Sequence, residues 1–398
     1  MKPPIPLAEA QARLLASITP LPAEHVAVEE ALGRCLAEPL LAHRTQPPAD
    51  LSAMDGYALR LGEDGPWRVI GESAAGHPFS GTVGPGEAIR ISTGALMPAG
   101  ADAVLLQENA TRNGDVLSLN GEGEPRARHI RRAGFDFRQG DELLPAGTRI
   151  NAAQIALALS GGNAKLPIHH LPHLAILDSG DELAADPAHC APHQIPASNG
   201  AMLAAMARGL AGDIQRLGPV PDDLDALAFA LEQASGADVI VTSGGASVGD
   251  HDLIRPALEA WGAEIDFWRV AMKPGKPLLV ARKGATVVLG LPGNPVSSFV
   301  TGFFFLLPLL RALAGDRTPL PVPLPLPLGA DLPAGGARME FLRASLSGGT
   351  AMPVSEQDSS ALRAMASAGL LIERPANAPA APAGSTVQAY WIENGGVA

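Results

Sequence analysis

Residues 237–252 read ADVIVTSGGASVGDHD and hold the side-chain types that phosphate chemistry needs. Asp238 to Val241 is a short apolar run rich in β-branched residues. Thr242, Ser243, Gly244 and Gly245 end it abruptly, as a buried strand entering a glycine-rich loop would. Adjacent glycines let successive N–H groups line one concavity that holds phosphate. Asp250 and Asp252 then set two carboxylates beside it, the donor type that suits Mg²⁺. Taken alone, the loop is equally a tight turn capped by Asp.

A second cluster lies downstream, in VAMKPGKPLLVARKG (270–284) and VVLGLPGNPVSS (287–298). Of 29 Lys plus Arg only five are lysines: Lys2, Lys165, Lys273, Lys276 and Lys283. Three of the five fall within residues 273–283, and Pro274, Gly275 and Pro277 shape the loop around the first two. A lysine is a compact point charge for an oxyanion, where arginine would impose a planar fork. An anion site explains this clustering better than chance does.

These groups need elements to hold them. A chain of 398 residues exceeds one ordinary core, so about two to four domains are expected. With 46% hydrophobic residues and a formal charge of −12 it reads as a soluble globular protein with neither nucleic acid nor membrane as partner. Cys35 and Cys190 are too few for a disulfide framework and fit a reducing, cytoplasmic compartment. MKPPIPLAEA has no apolar signal core. FVTGFFFLLPLL (299–310) is broken by Gly302 and Pro308, so it reads as a buried helix.

In chain order, helical spacing covers residues 7–18, and a second short helix is expected over about 28–40. Residues 41–140 carry frequent turn signals between short alternating runs, which predicts a β-rich domain. A helix over 150–162 follows. From 171 to 315 the expected order is strand, helix, helix, strand, helix, strand, an open α/β sheet with ligands at the carboxyl ends of its strands. LDSGDEL, SGGASVGDHD and LPGNPVSS each follow such a strand. PLPVPLPLPLG reads as a linker or edge strand opening a small β-rich module, in which no residue stands out as chemical.

Six motifs in one order now support a family resemblance: MDGYA (54–58), ISTGALMPAGADAV (91–104), SGDEL (179–183), SGGASVGDHD (243–252), MKPGKP (272–277) and LPGNPVS (291–297). The chain resembles the molybdopterin molybdenumtransferase family, MoeA-like proteins that include the E domain of gephyrin. That resemblance implies a cytoplasmic, Mg²⁺-dependent molybdotransferase of molybdenum cofactor biosynthesis. Such an enzyme inserts molybdenum from molybdate into adenylylated molybdopterin and releases AMP. It also implies an α/β multidomain fold: a small linking domain (23–40 and 140–168), an inserted β-rich domain (41–139), an α/β molybdopterin-binding domain bearing the site (1–22 and 169–318), and a C-terminal β-rich domain (319–398). An elongated homodimer with composite sites is implied too, as is transient contact with a molybdopterin adenylyltransferase.

Carried over motif by motif, Lys273, Lys276 and Ser297 are expected to bind the oxyanion, with Arg282 assisting. Gly244, Gly245 and Ser247 would hold the terminal phosphate of the pterin. Glu182, Asp222 and Asp252 surround a metal or an attacking oxygen, with Asp222 and Asp252 as the metal ligands and Asp223 as the alternative to Asp222. Composition makes Asp55, Thr93 and Asp136 turn or cap residues, and the resemblance raises Asp55 to a catalytic candidate and Thr93 and Asp136 to substrate-binding ones. Pro292, Gly293 and Pro295 would only shape their loop. Asp178 stands where related sequences usually have a small hydroxyl residue, which would add negative charge near the metal. His169, His170, His173, His189 and His193 with Cys190 match no common zinc spacing. Two rivals are a scaffold that has lost catalysis, against which the intact lysine pair argues, and a molybdopterin adenylyltransferase, which would lack the β domain and the KPGKP loop. Molybdate and tungstate are equally plausible on charge.

Overall fold

The computed structural model describes residues 4–244 and 253–392. The strand Val239–Ser243 is buried at every position, because helices cover both faces of its sheet. In spatial order the six strands are Asp213–Val220, His173–Ser179, Val239–Ser243, Thr286–Leu291, Pro277–Lys283 and Glu264–Arg269. The first four run parallel, Pro277–Lys283 runs antiparallel to them, and Glu264–Arg269 runs antiparallel to Pro277–Lys283 in turn. Leu7, Ala10 and Leu14 of the N-terminal helix pack on one face with Leu203, Ala207 and the long helical segment Pro295–Leu313. Leu227, Leu231, Ile254 and Leu258 pack on the other. Pro295–Leu313 is the one stretch among the described residues long and apolar enough to cross a membrane, and 89% of its apolar window is buried inside the protein. A π-helical turn at Gly302–Leu306 interrupts it.

Two expectations are corrected here. Residues 213–220 form a strand, not a link between helices: DIQRLGPV lies at the sheet edge, mostly solvent-facing, and so lacks the apolar run that marks a central strand. The helix expected over 28–40 shrinks to the 3-10 turn Val28–Ala31. Gly33 then takes φ +79°, and Cys35 and Leu36 bridge to Arg149 and Ile168.

Ala23–Ala27 pairs antiparallel with Lys165–His169 over a small core that includes Val28, Leu36, Ile150 and Ala158. Asn151 closes the capping box of the helix Ala152–Ser160. Between these segments lies a separate six-stranded sheet, with order Ala103–Leu106, Gly56–Leu59, Glu87–Ile91, Trp67–Ser73, Val116–Leu119, Ala110–Asn113.

The last sheet joins Met272–Lys273, Met339–Ser347, Leu370–Arg374, Thr386–Trp391 and the proline-rich edge strand Leu324–Pro327. Pro325 and Pro327 are tolerated there because an edge strand leaves one row of N–H groups unneeded. This sheet is fastened to the α/β core by aromatic rings. Phe304 meets Phe341 at 4.2 Å between centroids, Tyr390 edge-on at 5.1 Å and Phe303 at 5.0 Å. Phe341→Ala is therefore expected to destabilise the protein by about 3–5 kcal/mol, the range for a buried Phe. Urea denaturation followed by Trp fluorescence checks this, and a loss below about 1 kcal/mol would show the seam to be replaceable.

Candidate functional site

A cavity of about 1460 Å³ opens where the carboxyl ends of the central strands meet the C-terminal sheet. Asp178 and Ser179 reach it from one strand end, Ser243 and Gly244 from the next, and Pro292 to Ser297 from the third. Pro277–Lys283 runs antiparallel to its neighbour, so its amino end, with Lys273 and Lys276 just before it, arrives at the same edge. The KPGK loop is closed by Val270 N–H donating to the Lys276 carbonyl at 2.8 Å. It lies hard against the helix Pro295–Thr301: a Cβ on Gly275, at φ +99°, would stand 2.4 Å from Thr301 Oγ1.

Of the residues expected from sequence, Glu182, Asp222, Gly244, Lys273, Lys276 and Ser297 line this one cavity. Gly245, Ser247, Asp250 and Asp252 lie outside the described residues. Asp222 and Asp223 divide their tasks. Asp223 caps the helix Leu224–Gln233 by accepting from Ala226 N–H at 3.0 Å, while Asp222 faces the cavity. Burial first, then the charges of Asp181 and Glu182, hold the Asp222 carboxyl above its ordinary range.

Asp55, Thr93 and Asp136 do not line the cavity of their own chain. Asp55 accepts from Thr93 N–H at 2.7 Å, and that bond chiefly holds the Asp55 carboxyl below the usual range. All three are exposed, in or beside the β-rich sheet. Arg282 is corrected: it sits near the far end of the strand Pro277–Lys283 and donates to Ser17 on the N-terminal segment, away from the cavity. His189 pairs with Asp186 at 2.6 Å on an exposed loop, and among the described residues no His, Cys or acid group of three forms a metal site.

Asp178 also departs from expectation. It is 4% exposed, and Oδ2 accepts from Gly200 N–H at 3.1 Å. Oδ1 is buried without a well-formed hydrogen bond among the described residues, and the Ser243 hydroxyl acts on the carboxyl group. Burial raises its pKa, against the opposing pull of Arg216 and of these donors. Gly200 permits the contact, since a Cβ there would meet Oδ2 at 2.2 Å.

The C-terminal sheet, where sequence reading found no chemical residue, forms a whole wall. Arg338, Glu340, Glu356, Asp358 and Ser360 line the cavity. Arg338 Nη1 donates to the Met272 carbonyl at 3.2 Å, and Lys273 Nζ lies 3.0 Å from Glu340 Oε1. Asn199 also reaches in, donating to the Gly293 carbonyl at 2.7 Å, and Asn294 donates to Ser359 at 3.2 Å. Alternation in RMEFL puts Arg338 and Glu340 on the face opposite Phe341, but nothing local in the sequence says that this strand pairs with residues 272–273.

Comparison with known proteins places this architecture. A model of the MoeA N-terminal region (domain I and II) matches residues 5–162, one of a probable molybdopterin binding domain matches 175–312, and one of the MoeA C-terminal region (domain IV) matches 325–392. The Bacillus subtilis molybdopterin molybdenumtransferase is 33% identical over 413 residues, covering 98% of this chain and 95% of that one. The chain belongs to the molybdopterin molybdenumtransferase family. A relative of the same name from Haemophilus influenzae is 34% identical over 78% of each chain. The crystal structure of the molybdopterin biosynthesis protein MoeA from Pyrococcus horikoshii superposes with a TM-score of 0.83 at 27% identity, covering 97% of this chain and 99% of that one. The multidomain α/β architecture with β-rich N- and C-terminal parts is thus that of the family.

The buried Asp178 carboxyl carries a pH signature. The folded state holds this proton more tightly than the unfolded chain does. The resulting stability is complete below the ordinary Asp range and is lost as pH rises through the raised folded pKa. Asp178→Asn is therefore expected to gain stability relative to the parent at about pH 7 compared with about pH 3, below the ordinary Asp range. Urea midpoints of both proteins at the two pH values check this, and an equal difference at both would remove the titration from Asp178.

Proposed function

We propose that this protein is a cytoplasmic molybdotransferase of molybdenum cofactor biosynthesis, which takes adenylylated molybdopterin and molybdate, inserts the metal into the dithiolene and releases AMP. The observation that carries this reading is the convergence of Lys273, Lys276, Ser297 and Gly244 with Glu182 and Asp222 on one cavity at the carboxyl edge of the sheet. Both substrates are anionic, so their approach needs fixed positive charge and donors. Lys276 and the Ser297 hydroxyl supply these for the oxyanion, and the backbone at Gly244 and beyond serves the pterin phosphate. Glu182 and Asp222 hold or move protons at the reacting oxygens.

Six carboxyl groups (Asp178, Glu182, Asp222, Glu340, Glu356 and Asp358) face three cations (Lys273, Lys276 and Arg338) among the described lining residues. An anionic substrate therefore enters a negatively biased cavity, which favours a divalent cation as its companion. Asp222, crowded by Asp181 and Glu182, offers oxygen donors whose mutual repulsion a hard cation would relieve. Mg²⁺ bound there would neutralise phosphate charge. Asp222 is the described residue best placed to hold it. Asp252 is the further ligand expected from sequence.

Asp55, Thr93 and Asp136, exposed on another domain, fit a homodimer in which the β-rich domain of one subunit completes the cavity of its partner. AMP release from adenylylated molybdopterin, with and without molybdate, tests the function, and release indifferent to molybdate would overturn it. Lys276→Ala is expected to raise the molybdate KM by roughly tenfold or more with an unchanged thermal midpoint, since it removes one charge-assisted contact made by a half-buried loop side chain. Asp55→Ala and Lys276→Ala, each expected to be inactive under limiting molybdate, should recover roughly a quarter of parent activity when their subunits are exchanged, because half the dimers are mixed and each holds one intact site. No recovery after verified exchange would place each site within one chain.

A further inference from the structure

The ion pair between Lys273 and Glu340 joins two neighbouring strands of the C-terminal sheet. Met272 and Lys273 run parallel to Met339 and Glu340, and this register sets ammonium beside carboxylate at 3.0 Å. Among the described residues, Lys273 is the cation at ion-pair distance from Glu340. Arg374, opposite Glu340 on the neighbouring strand, directs its guanidinium to the carbonyls of Pro333 and Pro379. The Glu340 side chain is 15% exposed, so it is well shielded, whereas Lys273 is 56% exposed and keeps donors turned to the cavity. An anion binding to Lys273 therefore meets a carboxylate already attached to the same ammonium.

The geometry points to Glu340 as a specificity-determining residue that sets the charge of the oxyanion subsite, an inference resting on the reading of this cavity as the oxyanion site. Glu340 fixes where the Lys273 ammonium stands and at the same time weakens the hold of the subsite on any dianion. Without its charge the two lysines and Arg338 would hold any dianion, phosphate and sulfate included, more tightly. With it, an oxyanion binds well only when the rest of the ligand assembly supplies further compensation. The C-terminal sheet thereby takes part in substrate selection, and the repulsion it exerts scales with the charge of the anion.

The test uses molybdate and perrhenate, tetrahedral oxyanions of similar size that differ by one charge, titrated calorimetrically into the full chain without pterin. Glu340→Gln keeps the shape and an acceptor for Lys273 while removing the charge. It is expected to tighten molybdate by roughly three- to tenfold, the effect of one unit charge several ångströms away in a mostly aqueous surrounding, and perrhenate by roughly the square root of that factor. Glu340→Asp, which keeps the charge, is expected to bind molybdate much as the parent does. Equal changes for the two anions, or weaker molybdate binding in Glu340→Gln, would assign Glu340 a purely structural role and overturn the inference. Lys276→Ala serves as the control. If it weakens molybdate while Glu340→Gln leaves it unchanged, the inference fails and the cavity remains the oxyanion site. If neither variant alters binding, the reading of the cavity falls with it.

Discussion

The contact on which the site depends is the aromatic seam of Phe303, Phe304, Phe341 and Tyr390. Phe304 belongs to the π-helical turn of the α/β core, while Phe341 and Tyr390 belong to two strands of the C-terminal sheet. Rings packed at this distance gain from edge-to-face geometry beyond the area they bury. Tyr390 keeps its hydroxyl satisfied by donating to Glu373 at 2.6 Å, and burial together with that partner raises its pKa. Because neighbouring residues on a strand face opposite ways, seating Phe341 in the core turns Glu340 and Arg338 toward the cavity. One packing decision thus supplies the wall opposite the lysines.

The cavity is built from strand ends on one side and from that wall on the other, and charge sets its character. A loop with two lysines looks basic when read alone. Assembled, the lysines stand among twice as many carboxyl groups as cations from the described lining, and one of them is already paired. Buried and crowded carboxyls respond by holding protons more tightly, which both Asp178 and Asp222 do. Attraction for an anion is therefore a property of the whole wall and not of the KPGK loop.

The β-rich domain presents a different case. Its core closes on its own residues, such as Trp67, Leu59 and Leu105, and its candidate site residues are exposed. Asp55 and Thr93 are brought together across two strand ends, where Asp55 accepts from the Thr93 backbone and side chain, so the motifs MDGYA and ISTG are one local structure.

The sequence by itself determined the central strands, the helices that cover them and the cavity edge to which SGDEL, SGG and LPGNPVS are brought, whereas the KPGK loop reaches that edge only because the strand after it runs antiparallel to its neighbour. Each depends on local patterning: β-branched runs, glycine or proline at loop positions and helical spacing, all of which act over a few residues. It also carried the family through the order of its motifs. The edge strand 213–220 escaped because a solvent-facing strand has no apolar run, and the helix over 28–40 failed because Gly33 breaks it while Cys35 and Leu36 find bridge partners far along the chain. The division between Asp222 and Asp223, the burial of Asp178 against Gly200, the removal of Arg282 and the recruitment of Arg338 and Glu340 were decided only by tertiary structure. Strand register and helix placement set which way those side chains face. Lys273 and Glu340 stand 67 positions apart in sequence, and only the pairing of their strands makes them neighbours.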